Sequence, residues 1–331
     1  MNRRDALAAG GAFGLLASLG ACRTGPRPLL AADSQPEDYP TVEALRWFAA
    51  TVARETEGRV AIEVFPSEQL GSQSDTLELA QLGGIDFIRI NSAPLNVLVP
   101  ETLVPSLPFL FRSTGHMRAT MDGAPGQAIL SALSAHDLIG LAFYDSGARS
   151  VYTVDRPVHE PADMAGLKIR VQTSDLFVDM IESMGASATP MTYGEVYQGM
   201  VQGVIDGAEN NMPSYESSRH FEVAPVYSMT RHVLAPEILA MSRMSWEKLA
   251  SADREVVAEA ARASVPVMRR IWDSRVAQST AIVTAGGARI VEDVDRAAFQ
   301  ARMQPLWHDY AGTPALRRLV EDIAGMGQTD A

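Results

Sequence analysis

The sequence predicts an α/β protein of two lobes with one long helix that spans both. Apolar segments with strand alternation are separated by amphipathic helical segments, which is the pattern of βαβ units and a largely parallel sheet. The pattern restarts after the turn sequence "DSGA" at 145–148, which indicates a second lobe. A helical pattern from Asp253 to about Ala285 is longer than one lobe needs. At 331 residues the chain is long enough for about two domains.

The first residues have the layout of a secretory signal. Two arginines at 3 and 4 precede an apolar run from Ala6 to Ala21, which is too short to span a membrane. We therefore predict a signal peptide over residues 1–21, with a loose match to twin-arginine export, and a linker over residues 22–27.

The predicted signal ends at Leu19-Gly20-Ala21-Cys22, which resembles a bacterial lipobox. Cleavage before Cys22, the only cysteine of the chain, leaves a thiol that carries lipid. A free cysteine after an ordinary cleaved signal is the alternative. Because one cysteine forms no disulfide within a chain, export is inferred from the signal alone. Contact with the membrane is expected only through this lipid anchor.

The chain is acidic. Its formal charge is −12, and removal of residues 1–21 takes away two arginines and one aspartate and leaves −13. An acidic surface argues against nucleic-acid binding and against a general attraction of anions. Any anionic ligand therefore has to be held by local positive groups in a cleft.

Between residues 28 and 147 predicted strands alternate with helices. The first helix, "TVEALRWFAATVARETEG", ends at a glycine, and a second is expected from about Ser74 to Leu82. Two further helical pieces fall between Thr114 and Ala135. The predicted strands are "PLLAAD", "RVAIEVF", "IDFIRIN", "LPFLF" and "LIGLAFYD".

A second series of elements follows the "DSGA" turn. Helices are expected from Ser174 to Met184 and in "YGEVYQGMVQG". The predicted strands are "RSVYTV", "LKIRV", "VIDGAENN" and "VLAPEILAMS". The long helix comes next and contains Pro266, which is expected to kink it. At 1.5 Å per residue this helix spans roughly 45 Å, enough to lie across both lobes.

The sequence contains no local catalytic or metal-binding motif. The six histidines show no HExxH spacing, and neither a GxSxG elbow nor GK[ST] occurs. Neither a metal nor a cofactor is therefore predicted. Asp206 and Glu209 in "DGAEN" leave an acid–base pair open, although a turn built on Asp-Gly is the commoner reason for such residues.

Polar side chains occur where several predicted strands begin or end. Arg149 follows the "DSGA" turn, Arg170 and Gln172 lie on the polar face of "GLKIRVQTSD", and Asn210-Asn211 follow another strand. In open α/β sheets, ligands bind beyond the carboxyl ends of strands. A guanidinium presents a rigid fork of donors to a carboxylate, and asparagine adds a neutral donor. These groups therefore predict a carboxylate site.

Several motifs together resemble the solute-binding proteins of tripartite ATP-independent periplasmic (TRAP) transporters. They are "SEQLGSQSDTLELAQLGGIDF", "ADMAGLKIRV" and "MTYGEVYQGMVQGVIDGAENN", with the long helix after them. The likeness runs in order from about Pro28 to Glu321, and the combination of "GLKIRV" with "VIDGAEN" is fairly specific. It implies a periplasmic-binding-protein-like fold that closes by a hinge on its ligand.

The resemblance implies a role for each matching residue. Arg170 corresponds to the arginine that forms the main salt bridge to the ligand carboxylate, and Arg149 corresponds to a second arginine. Asn210 corresponds to the asparagine of the DGxEN turn. Tyr193 corresponds to an aromatic residue, often phenylalanine, that stacks on the ligand. Two further segments that line the cleft in the family point to Tyr39, Asn91 and Ser92.

Structural roles are the alternative for three of these residues. In this interpretation Arg170 lies on a solvated strand face. Arg149 pairs with Asp145 or Asp155 across a turn, and Tyr193 is an ordinary core residue at a helix start.

The predicted organisation places lobe I at 28–147 and 236–275 and lobe II at 148–235 and 276–331. The motifs most resemble the branch associated with sugar acids such as glucuronate and galacturonate. This implies a periplasmic, non-enzymatic protein that delivers a small organic anion to the membrane subunits of a TRAP permease. An extracytoplasmic enzyme acting on a carboxylated sugar and a binding protein of an ATP-driven importer are the alternatives.

Overall fold

The computed structural model describes residues 27–326, so the predicted signal peptide and Cys22 lie outside the described residues. Two β-sheets, both covered by helices, form the framework of this part of the chain. The two-lobed α/β fold predicted from the sequence is confirmed. The strands are β1 (Leu29–Ala32), β2 (Ile62–Phe65), β3 (Phe87–Asn91), β4 (Leu138–Tyr144), β5 (Arg149–Thr153), β6 (Lys168–Val171), β7 (Ser187–Pro190), β8 (Gly207–Asn210), β9 (Val226–Val233), β10 (Glu237–Ser242) and β11 (Arg289–Val291).

Helices follow most of these strands, as βαβ units require. They are α1 (Pro40–Glu55), α2 (Gln73–Gln81), α3 (Ser92–Leu95), α4 (Thr114–Asp122), α5 (Ala124–Ala132), α6 (Asp175–Met184), α7 (Val196–Val201), α8 (Met212–Ser217), α9 (Arg243–Lys248), α10 (Ser251–Ala285), α11 (Arg296–Tyr310) and α12 (Pro314–Gly325). Short 3₁₀ turns occur at Pro100–Ser106, Leu133–His136, Pro161–Met164, Tyr193–Glu195 and His220–Glu222.

Both sheets are mixed. The first has the strand order β2-β1-β3-β10-β4, in which β10 runs antiparallel to β3 and β4. The second has the order β11-β9-β5-β8-β6-β7, in which β5 runs antiparallel to β8 and β9. The expectation of a largely parallel sheet therefore holds only in part, because one antiparallel strand lies inside each sheet.

The chain passes between the sheets at two short connections. β4 ends at Tyr144 in the first sheet and β5 begins at Arg149 in the second. β9 ends at Val233 in the second sheet and β10 begins at Glu237 in the first. The predicted lobe boundaries at 147/148 and 235/236 fall within these connections, and the assignment of whole lobes stays a prediction.

Helix α10 is the third element that joins the two halves. It runs for 35 residues, about 50 Å at the usual rise, and packs against α1 and β4 on one side and α8 on the other. Arg275 on this helix binds both halves, since its Nη1 lies 3.2 Å from Asp38 Oδ2 and its Nη2 lies 2.9 Å from Glu216 Oε2. The predicted long helix is confirmed, with contacts to both sides.

Two predicted strands were wrong, and the eight-residue β9 was missed. "LPFLF" forms no strand, because Pro108 lacks the N–H that a ladder needs and Phe109 is in the left-handed region with φ 56°. "VLAPEILAMS" is not one strand, since the chain leaves the second sheet before Pro236 and enters the first after it. β9, with Arg231 and His232 in its sequence, was not predicted at all.

Candidate functional site

Four polar residues meet at one edge of the second sheet. Arg170 lies on β6 and Asn210 ends β8, which runs parallel to β6. Arg149 begins the antiparallel β5, whose next residue, Ser150, pairs with Asn210, so Arg149 lies at the same edge. Gln172 directly follows β6. The structure thus brings together four of the five residues that were selected at strand ends in the sequence, the fifth being Asn211.

The facing wall comes from the first sheet. Asn91 ends β3 and pairs with Glu237, the first residue of β10, while Gln35 comes shortly after β1. Ser72 and Asp75 form a capping box at the start of α2, which holds Gln73 in its first turn. Gln73 Oε1 accepts hydrogen bonds from the backbone N and Nδ2 of Asn91 at 2.7 and 3.1 Å.

A cavity lies between the two walls. Its lining residues come from strands of both sheets and from the loops and helices beside them, and they are Gln35, Gln73, Asn91, Arg149, Arg170, Gln172, Tyr193, Asn210, Ser214 and Glu237. An adjoining cavity shares Gln73, Arg170, Gln172 and Tyr193 and extends to Glu68 and Thr192. A ligand in this position contacts both halves of the molecule at once.

Arg149 is held rigidly at the back of the cavity. Its Nε and Nη2 donate to the two carboxylate oxygens of Glu209 at 2.6 and 2.7 Å, and its Nη1 donates to Asn210 Oδ1 at 2.9 Å. Burial opposes ionisation of Glu209, but Arg149 and His232 lower the pKa of Glu209 to about 2. With its amide assigned so that Oε1 faces the guanidinium, Gln172 also accepts from Arg149 at 3.3 Å.

The expected alternative partners of Arg149 were wrong. Asp145 accepts instead from Arg118 Nε at 2.7 Å, and Asp155 is exposed. Arg149 pairs with Glu209, which lies on the neighbouring strand opposite Val151. The charge of Arg149 is therefore already neutralised within the protein.

Arg170 differs from Arg149, because it has no carboxylate within 4.0 Å among residues 27–326. Its Nε and Nη2 both donate to the backbone oxygen of Met191, at 2.9 and 2.6 Å. The residue is 4% exposed, and this burial, with Arg149 nearby, lowers the pKa of its guanidinium. The alternative of a solvated strand face is therefore wrong. Arg170 is a buried cation that no carboxylate of the described residues contacts directly, although Glu209 acts on it from a longer distance.

Tyr193 lines both cavities and is only half-buried, so its interpretation as an ordinary core residue was wrong. Its hydroxyl contacts Ser218 Oγ and donates to Ser214 O at 3.4 Å. The ring of His220 lies edge-on at 6.1 Å between centroids. Burial, with Arg170 nearby, lowers the pKa of His220 to about 3, so this imidazole adds no charge to the site at neutral pH.

Three of the predicted residues do not line the cavity. Tyr39 is fully buried, and its hydroxyl lies 2.8 Å from Ser214 Oγ and 3.3 Å from Asn211 Oδ1, so it joins the first half of the chain to α8. Asn211 caps α8 by accepting from Ser214 N at 2.8 Å. The hydroxyl of Ser92 lies 2.8 Å from that of Ser106. Ligand contact by these three residues stays a prediction.

The residues of the enzyme alternative are engaged in structural contacts. Asp206 Oδ2 accepts from the backbone N of Lys168 at 2.8 Å. Both carboxylate oxygens of Glu209 are bound by Arg149. Neither residue lines the cavity. Within residues 27–326 no group of three or more His, Cys, Asp or Glu side chains is placed to hold a metal ion.

Four lining residues were missed in the sequence. Gln35 follows β1, so the strand-end rule that selected Arg170 would also have found Gln35 in "AADSQ". Gln73 lies in the first turn of α2, to which that rule does not apply. Glu237 begins an antiparallel strand, to which the rule does not apply. Ser214 comes from α8.

The sequence between residues 31 and 313 matches the family model of bacterial extracellular solute-binding proteins, family 7. The chain belongs to this family. The resemblance that the motifs predicted is confirmed, and the family is extracytoplasmic. Within the part of this solute-binding protein that the structure describes, no helix combines the length and apolarity needed to cross a membrane.

Solved structures of TRAP periplasmic solute-binding proteins superpose closely on this family member. That of Bradyrhizobium sp. BTAi1, in complex with D-galacturonate, is 50% identical with a TM-score of 0.89 and matches 90% of this chain and 99% of that chain. That of Chromohalobacter salexigens, with bound D-glucuronate, is 45% identical with a TM-score of 0.87 and matches 89% and 99%. A curated solute-binding protein of Chromohalobacter salexigens is 46% identical over 87% of this chain and 86% of its own length.

Proposed function

We propose that this protein captures a uronate, such as D-galacturonate or D-glucuronate, between its two sheets and delivers it to a TRAP permease. The main observation behind the proposal is the buried guanidinium of Arg170. Burial of an ion without a directly paired counter-ion is costly, so direct contact with a partner of opposite charge stabilises such a group. A ligand carboxylate is that partner.

The donors of Arg170 support a carboxylate at one defined position. Nε and Nη2 are tied to the oxygen of Met191, which fixes the plane of the guanidinium. Nη1 has no acceptor among residues 27–326 and Arg170 lines both cavities, so Nη1 is available to a ligand. Asn210 and Gln172 add amide groups beside it.

The facing wall supports a ligand with several hydroxyl groups. Gln35, Gln73 and Asn91 contribute neutral amides, each able to donate and accept hydrogen bonds. Gln35 is 3% exposed, and its Oε1 has no hydrogen-bond partner among the described residues. Because a buried acceptor without a donor is costly, a sugar hydroxyl at this position gains a hydrogen bond that the protein alone lacks. A carboxylate at one end and hydroxyls at the other describe a sugar acid.

The relatives support the same ligand class and the same partner. Two TRAP solute-binding proteins that are 45–50% identical hold uronates, and both cover nearly the whole of this chain. We infer from them a TRAP permease as the receiving membrane protein. We also infer a binding role without turnover, since Asp206 and Glu209 are both committed to structural contacts. Export by residues 1–21 and lipid attachment at Cys22 belong to this proposal.

Calorimetric titration with D-galacturonate, D-glucuronate, D-galactose and D-glucose tests the ligand class. The uronates are expected to bind and the neutral sugars are not, because a neutral sugar leaves Arg170 buried and unpaired. At a hundred times its dissociation constant, a true ligand also adds about 2.7 kcal/mol to the free energy of unfolding. Equal affinity for D-galactose and D-galacturonate would refute the proposal, and conversion of the uronate during incubation would favour the enzyme alternative.

A further inference from the structure

Glu237 is a carboxyl group that lines the cavity together with Arg149 and Arg170. Its side chain is 1% exposed, and its Oε2 lies 3.1 Å from Arg89 Nη1. This contact lacks hydrogen-bond geometry, and Oε2 has no hydrogen-bond partner among residues 27–326. Because Oε2 accepts no hydrogen bond from the described residues, the anion of Glu237 is held less firmly than those of Asp33 and Glu209, although Arg89, Arg149 and Ser146 favour it.

Arg89 is shared unequally between two carboxylates. Its Nη2 donates to Asp33 Oδ1 and, at 3.0 Å, to Ser34 Oγ, and the side chains of Arg89 and Asp33 are both fully buried. Its Nη1 faces Glu237 without forming a hydrogen bond. Asp33 is therefore the primary partner of Arg89, and Glu237 is the second.

The charges of the buried residues around the cavity balance. Three arginines are matched by three carboxylates, and these residues are Arg89, Arg149, Arg170, Asp33, Glu209 and Glu237. A ligand carboxylate adds a further negative charge to this enclosed group. Arginine side chains stay protonated near neutral pH. The balance of charge is therefore restored most easily when one carboxylate takes up a proton. Asp33 and Glu209 are held by hydrogen-bonded arginines, whereas Glu237 is not.

We propose that Glu237 is a further residue of the ligand site, which takes up a proton when a carboxylate enters and then donates a hydrogen bond to the ligand as a neutral acid. The proposal rests on the proposed function of this cavity as a carboxylate site. The proton comes from solvent and forms one O–H bond on Glu237, and no other bond is made or broken. Burial raises the pKa of Glu237, which favours the same outcome.

The other titratable groups near Glu237 come from several elements. They are Asp33 after β1, Tyr39 before α1, Arg89 on β3, Arg149 on β5 and, in the same cavity lining, Arg170 on β6; Glu209 on β8 and His232 on β9 lie next to Arg149 or Glu209 rather than next to Glu237. Burial raises the pKa of Tyr39 and lowers that of His232, so both are neutral near pH 7. Glu68, whose pKa burial also raises, lies in the adjoining cavity near Arg170 and is the competing proton acceptor.

The test is titration calorimetry of D-galacturonate near neutral pH in two buffers of different ionisation enthalpy, which measures proton uptake directly. The parent protein is expected to take up a fraction of a proton, up to one. Its dissociation constant is expected to rise with pH, by at most about tenfold per pH unit, since uptake of a proton favours binding at low pH. Glu237→Gln is expected to abolish the uptake and to bind with little dependence on pH. The matched control Glu68→Gln is expected to keep the uptake.

Each outcome decides the proposal. No proton uptake by the parent overturns it, and this result does not depend on how well a variant folds. Uptake that persists in Glu237→Gln, or disappears in Glu68→Gln, overturns it as well. Failure of every uronate to bind would instead refute the proposed function, and the Glu237 proposal with it. Uptake in the parent and in Glu68→Gln that is absent in Glu237→Gln supports the proposal.

Discussion

Replacement of Arg170 by lysine keeps the positive charge of the site and removes the forked arrangement of its hydrogen-bond donors. In the native protein two nitrogens hold the Met191 oxygen at 2.9 and 2.6 Å, and Nη1 is left for the ligand. A lysine has one nitrogen, which cannot bind Met191 O and reach the carboxylate from the same position. One charge-assisted hydrogen bond, roughly 1.5–3 kcal/mol, is therefore lost, which weakens binding by about ten- to a hundredfold.

Replacement of Arg170 by alanine is expected to weaken binding further. The carboxylate then enters a closed cavity without its main partner, which costs about 2–5 kcal/mol or more. The stability of the ligand-free protein is expected to depend little on Arg170. This residue has no ion pair among residues 27–326, and the desolvation of its guanidinium already opposes folding. We expect its free energy of unfolding to change by less than about 1 kcal/mol in either variant.

Calorimetric titration with D-galacturonate and melting curves without ligand measure both effects. Arg262→Lys is a matched control, since within residues 27–326 Arg262 pairs only with the exposed Glu259 on the surface of α10. It is expected to bind like the parent. An Arg170→Ala dissociation constant within twofold of the parent value would refute the role of Arg170 as ligand anchor. Destabilisation of the ligand-free variant by several kcal/mol would show that Arg170 has a structural role instead.

The remaining predictions concern Glu209 and Cys22. Glu209→Gln leaves Arg149 as an unpaired buried charge and is expected to lower the free energy of unfolding by about 3–5 kcal/mol in urea. The pKa of Glu209 falls from 4.5 to about 2 on folding, so the stabilisation by its ionised form is present above pH 4.5 and is lost as the pH falls towards 2. A difference in stability between parent and variant that does not change over this pH range would contradict this prediction. Cys22→Ser is expected to move the protein from the membrane fraction to the soluble periplasmic fraction, and unchanged membrane association would contradict lipid attachment.

The half of the site on the second sheet was predictable from local sequence. Arg170 and Asn210 each lie at or next to the carboxyl end of a strand, and adjacent parallel strands bring such ends together. Arg149 was found because a turn sets the start of its strand. Strand alternation and turn chemistry were enough to select these residues, whereas their roles toward a ligand came from the resemblance to the TRAP family.

The partners of these residues depend on pairing between distant segments. The salt bridge of Arg149 with Glu209 follows from the antiparallel register of β5 and β8, which local patterns do not specify, so nearer aspartates were expected instead. Glu237 reaches the cavity because the chain returns from the second sheet to the first after β9. There β10, which begins at Glu237, pairs with β3. β9 was missed because Arg231 and His232 interrupt the apolar pattern of its sequence. The strand is buried by the structural elements around it, which the local sequence does not show.

Arg170 is expected to bind the carboxylate of a sugar acid between the two sheets. A crystal structure of the protein grown with D-galacturonate shows directly whether it does. We expect one carboxylate oxygen of the ligand within about 3.2 Å of Arg170 Nη1, and the sugar hydroxyls against Gln35, Gln73 and Asn91. A uronate bound outside this cavity, or one whose carboxylate lies beyond hydrogen-bond distance of Arg170, would contradict it.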